Sequence, residues 1–63
     1  SFSRFLTSVR IEQAKKLLSS GKYKVFEVAE LVGYSSAEHF TRVFKEQEGI
    51  NPKKYMTRPD SRR

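Results

Sequence analysis

The sequence predicts an all-α fold, a small bundle of about four helices. Three observations carry that prediction. Apolar residues recur every three or four positions in four separate segments, and nowhere do they alternate as a half-buried strand requires. Each segment is bounded by Ser, Gly, Asn or Pro. The large apolar side chains, including five Phe and three Tyr in 63 residues, suffice for one helical layer and one domain.

The first helix is expected roughly over 3–19, a stretch free of Gly and Pro and rich in Leu, Ala, Lys, Glu and Arg. Ser1 is placed to cap its start, and Ser19, Ser20 and Gly21 form a stop signal. Glu12 and Lys16 stand at i,i+4 in the favourable order for an ion pair. The apolar positions do not keep one stripe. Phe2, Phe5, Leu6 and Val9 share one face. Ile11, Ala14, Leu17 and Leu18 share another, its centre rotated by roughly 130° at about 100° per residue. A helix lying on one core keeps one stripe. The jump therefore predicts that the second half packs on the rest of this chain and the first half on something outside it.

A short basic connection, 21–24, leads to a second helix over 25–32. Val25, Val28, Ala29 and Val32 follow i, i+3, i+4, i+7 and define its inner face, with Glu27 and Glu30 outside and Phe26 off the stripe. Gly33 ends it, in the left-handed conformation that other residues reach only at a cost. The third helix starts at Ser35 or Ser36. "SSAE" reads as a capping box, with Ser35 as N-cap and Glu38 three residues on. Phe40, Val43, Phe44 and Gln47 form its inward stripe. Gly49 stops it, and Ile50 is placed for the hydrophobic contact of a Schellman-type end. Asn51 caps a fourth helix over 51–58, and Pro52 occupies the first turn, where no backbone donor is needed. Tyr55 points inward, Pro59 ends the helix, and 59–63 is a charged tail expected to be mobile.

Composition narrows the function classes. Thirteen Lys and Arg against seven acids leave a net charge of +6, which favours a polyanionic partner. With no Cys there is no disulfide, no thiolate nucleophile and no Cys-based zinc site, and a single His39 makes a metal site unlooked for. No cofactor is expected. No apolar run approaches the ~20 residues of a membrane span, and no signal-peptide pattern is present. The divided stripe of the first helix also argues against lying flat on lipid. The chain begins at Ser rather than Met, so a processed or excised piece of something longer is expected. His39 lies within reach of Ser35 and Ser36, but a nucleophile needs an oriented base and an oxyanion site in a water-poor pocket. So short a chain cannot build that pocket, and no enzyme is expected. His39 is then a groove-rim residue, a packing residue or a phosphate donor.

Two short helices joined by a glycine-containing turn, the second with a polar outer face, describe a helix-turn-helix in a homeodomain-like bundle. Ala29 is small where the helices must approach, Gly33 permits the sharp turn, and the second helix begins with polar groups, the end that meets base edges in a major groove. Many helical hairpins share one of these features. Their combination with the basic charge points to nucleic acid rather than to a plain structural bundle.

The segments "VRIEQAKKLL", "VFEVAELVGYSSAEHFTRVFKEQEG" and "INPKKYM" resemble the C-terminal half of the AraC/XylS family DNA-binding domain. The likeness runs from Ser1 to about Tyr55 and is densest over Glu27, Ala29, Val32, Gly33, Tyr34, Ser35, Phe40, Arg42, Phe44, Lys45, Gly49, Pro52 and Tyr55. The family domain has two helix-turn-helix units joined by a long linker helix. The resemblance implies that 1–20 is that linker, that 25–48 is the second unit, and that the first unit precedes Ser1 and packs on Phe2, Phe5, Leu6 and Val9. It also implies sequence-specific binding of double-stranded DNA in the major groove by a bacterial, cytoplasmic, nucleoid-associated transcription regulator of the activator kind, with RNA polymerase as a further partner.

By the same resemblance, the base-contacting positions fall on Glu38, Thr41 and Arg42, with Ala37 at the edge. The chemistry fits: Arg pairs with guanine, Thr hydrogen-bonds or touches a thymine methyl, and Glu accepts from cytosine. Glu38 has a competing role in the capping box, and both readings stand. Arg42 has its own alternative as a solvated residue or a partner of Glu38 or Glu46. Candidate phosphate contacts are Ser36, His39, Lys45, Lys24, Lys53 and Lys54, for any of which ordinary solvation is the plain alternative. Met56 stands where the family often has arginine, and Phe26 where it usually has a polar residue. A rival function is a protein-interaction module presenting Phe2, Phe5, Leu6 and Phe26.

Overall fold

The computed structural model describes residues 2–57, Phe2 by its backbone alone. Within them are four helices and no strand: α1 (Phe2–Ser20), α2 (Val25–Leu31), α3 (Ala37–Glu48) and α4 (Pro52–Thr57). The expected cap at Ser1, the stop at Pro59, the tail 59–63 and the side chain of Phe2 lie outside the described residues.

α1 lies across the other three helices, and α2 and α3 pack on each other. The core takes Ile11, Ala14 and Leu18 from α1, Val28 and Ala29 from α2, Tyr34 from the turn, and Phe40 and Phe44 from α3. Aromatic rings form a continuous row through it. Tyr34 meets Phe40 at 5.5 Å between centroids, Phe40 meets Phe44 at 5.7 Å, and Phe44 meets Tyr55 at 5.5 Å. Such tilted and edge-on pairs add stability beyond their buried area, and this row ties the turn to α4.

The turn between α2 and α3 is a full Schellman end. The Gly33 N–H donates to the Glu30 carbonyl at 3.1 Å, and the Tyr34 N–H donates to the Ala29 carbonyl at 2.9 Å. Gly33 has φ +103°, a region L side chains rarely adopt. Tyr34 then folds back into the core as the hydrophobic contact of the motif. α3 ends differently from expectation. Gly49 is left-handed and its N–H donates to the Lys45 carbonyl at 2.8 Å, a single bond in place of the Schellman pair. Ile50 is half-buried. At α4 the Asn51 side chain accepts the Lys54 N–H at 2.8 Å, as a cap should, and Pro52 is buried.

Four local expectations are corrected. The N-cap of α3 is Ser36, not Ser35: its hydroxyl accepts the His39 N–H at 3.0 Å. Glu38 therefore occupies the second helical position, too early for the return bond of a capping box, and no such bond forms. The box that does form in part is at α2, where the Glu27 carboxylate accepts the Lys24 N–H at 2.8 Å, so Glu27 is half-buried and not merely outside. Glu12 pairs with Lys15 at 3.1 Å rather than with Lys16, because Glu48 of α3 also draws the Lys15 ammonium, at 3.4 Å. Finally, Gln47 is exposed. It lies in the last turn of α3 and is not part of the buried stripe.

The divided stripe of α1 is visible in burial. Ile11, Ala14 and Leu18 are buried, while Phe5 is 65% exposed and Val9 40%. Leu6 is half-buried.

Candidate nucleic-acid interface

α3 is twelve residues long, with Phe40 and Phe44 holding its inner face in the core. That anchorage sets which side chains face out. Glu38, Arg42 and Lys45 are exposed, and Thr41 is half-buried beside them. Glu38 and Arg42 are spaced for an i,i+4 ion pair, yet no such pair forms, nor one between Arg42 and Glu46. The donors of Arg42 are thus uncommitted within the described residues. Ala37 is half-buried and packs against the core, so only part of its methyl faces outward.

Ser36 spends its acceptor on the cap but keeps a hydroxyl donor for a partner. His39, one turn into α3, is exposed and rests edge-on against the Tyr34 ring at 5.4 Å. The lysines sort onto helix ends. Lys24 is the N-cap of α2, Lys53 and Lys54 lie in the first turn of α4, and Lys45 lies in the last turn of α3. All four side chains are exposed.

Two features escaped the sequence reading. Leu31 of α2 is 59% exposed, as is Phe26 at 56%, the two standing about 140° apart around the helix at about 100° per residue. Arg10 of α1 crosses to the turn. Its Cζ sits 5.4 Å from the centroid of the Tyr34 ring, a cation–π contact, and a Cβ built on Gly33 meets the Arg10 Nε at 3.3 Å. The signal was available: Arg10, Ala14 and Leu17 are spaced i, i+4, i+7, which sets a cation on the inward stripe.

Among the described residues no three His, Cys, Asp or Glu side chains gather as a metal site would need. No helix there is long and apolar enough to cross a membrane.

A family model described as a helix-turn-helix domain matches residues 1–58. Among similar curated proteins, the HTH-type transcriptional activator FapR of Escherichia coli is 37% identical over 54 residues, which is 86% of this chain and 21% of that protein. The activator CfaD of the same organism is 34% identical over 56 residues, covering 89% and 21%. The virulence regulon transcriptional activator VirF of Shigella flexneri is 39% identical over 54 residues, covering 86% and 21%. The chain spans about a fifth of the length of these relatives. No solved structure matches it. With its two-helix motif, its capped and outward-charged third helix and a family match over nearly its whole length, the chain belongs to the helix-turn-helix domains of the AraC/XylS-type transcription regulators.

Proposed function

We propose that this chain binds double-stranded DNA sequence-specifically, by inserting α3 into a major groove, as part of a bacterial transcription regulator. The observation that carries the reading is the outward row of α3. Glu38, Arg42 and Lys45 are exposed and unpaired within the described residues, on a helix whose opposite side is locked by Phe40 and Phe44. Arg42 is assigned to a guanine, Thr41 to a hydrogen bond or a thymine methyl, and Glu38, released from capping, to a cytosine amine. Ala37, partly turned to the core, keeps only an edge contact. Ser36, His39, Lys45, Lys24, Lys53 and Lys54 are assigned to phosphates, which fix register without reading sequence.

The exposed Phe5 and Val9, with Leu6, are assigned to a first helix-turn-helix unit of the same polypeptide. The relatives' greater length leaves room for one. Two such units would set their recognition helices about 34 Å apart, one turn of DNA. Contact with RNA polymerase would fall to exposed Phe26, and the location would be the bacterial cytoplasm, at the nucleoid.

The test is an electrophoretic titration of the full-length protein on its operator. Arg42→Ala should cost about 1–3 kcal/mol there and relax preference at one base pair. Equal affinities for wild type and variant would remove α3 from the reading role.

A further inference from the structure

We infer that Arg10 is a further DNA contact, a guanidinium held on Tyr34 to meet a backbone phosphate beside the groove that α3 enters. The inference rests on the DNA-binding reading and adds a residue of α1 to it.

Four observations carry it. Arg10 is half-buried, and among the described residues no carboxylate lies within ion-pair distance of it. No acid precedes Glu12 in the chain, so the first half of α1 offers none in sequence either. A fixed cation partly removed from water is costly unless its charge is met, and a guanidinium carries five donors suited to phosphate or carboxylate. A cation–π contact meets the charge only in part and uses none of those donors.

Its place is the third observation. The Tyr34 ring takes Arg10 at 5.4 Å and the His39 ring at 5.4 Å, so the guanidinium lies by the N-terminal turn of α3, the end that leads into the groove. The fourth is the bare Gly33. A Cβ there would stand 3.3 Å from the Arg10 Nε, a tight contact, so the bare glycine lets the guanidinium lie close against the turn. The turn therefore both bends the chain and seats the cation. Backbone phosphates flank the groove on that side of any inserted helix, and arginine meets them bidentately.

The test uses the full-length protein, a duplex enriched by selection, and a scrambled duplex of equal length. Affinity is measured against KCl concentration for wild type, Arg10→Lys, Arg10→Gln and Arg10→Met. Thermal melting checks that the variants fold, and the methionine variant keeps an apolar stem on Tyr34. Loss of one phosphate contact should reduce the slope of log K against log[salt] by about 0.9 in magnitude. The expected result is that reduction in Arg10→Gln and Arg10→Met, with the same factor lost on both duplexes and the slope retained in Arg10→Lys. Slopes unchanged in Gln and Met, whatever the affinity, would overturn the role of Arg10 and leave α3 binding intact. A wild-type protein with no salt-dependent DNA binding would overturn both.

Discussion

Ser36 accepts the His39 N–H, and Ser35 beside it is exposed and makes no comparable bond. Ser36→Ala should therefore cost about 1 kcal/mol, within the ~0.5–2 kcal/mol of lost caps, and Ser35→Ala should stay within about 0.5 kcal/mol. Chemical denaturation of both variants checks this, and a larger loss in Ser35→Ala than in Ser36→Ala would restore Ser35 as the cap. The same shift of one residue decides Glu38. A carboxylate with no backbone bond to protect can be changed at little cost to stability, so Glu38→Gln should leave the melting temperature in place and alter base preference alone. The sequence showed that a cap stood in "SSAE" but not which serine, because Ser35 and Ser36 satisfy the same local pattern. Only the Schellman path through Tyr34, which fixes where helical geometry can resume, selects between them.

At the scale of elements, α2, its turn and α3 were legible because their signals are local: a four-residue apolar stripe, a glycine, a capped polar start. Gly33 is where the signal is also quantitative. Gly33→Ala places an L side chain at φ +103° and presses a Cβ on Arg10, so it should destabilise by more than about 1 kcal/mol. Ties between helices were not legible, since sequence spacing cannot show what a neighbouring helix brings. Lys15 is the example: it bonds Glu12 on its own helix but also Glu48 on α3. Its pKa is raised, first by the hydrogen bond to Glu12 and then by Glu48, against an opposing effect of burial. A folded-state pKa above the unfolded value contributes stability that is present below the unfolded pKa and lost as pH climbs through the folded one. The bridge should thus fade only above the ordinary lysine range. Being partly exposed, it is a minor tie, and Lys15→Met should cost no more than about 1 kcal/mol near neutral pH, read by urea titration.

On the scale of the molecule, one core and one bare apolar face coexist. The rotation of the stripe along α1 foretold that arrangement, and burial of Ile11, Ala14 and Leu18 against exposure of Phe5 and Val9 matches it. A partner for the bare face is suggested only by the resemblance, because a stripe names no partner. If a first helix-turn-helix unit lies there, Phe5→Ser in the full-length protein should lose about 1.5–3 kcal/mol of stability, the worth of a buried aromatic side chain. An unchanged melting temperature would leave that face without the proposed cover. The central claim is that the exposed row of α3 reads a base sequence, and binding-site selection from a random duplex library with the full-length protein tests it most directly. The expected result is enrichment of one motif, with a guanine whose preference disappears when the selection is repeated with Arg42→Ala. A library that emerges with no sequence enriched, at a salt concentration where the protein still retains DNA, would contradict it.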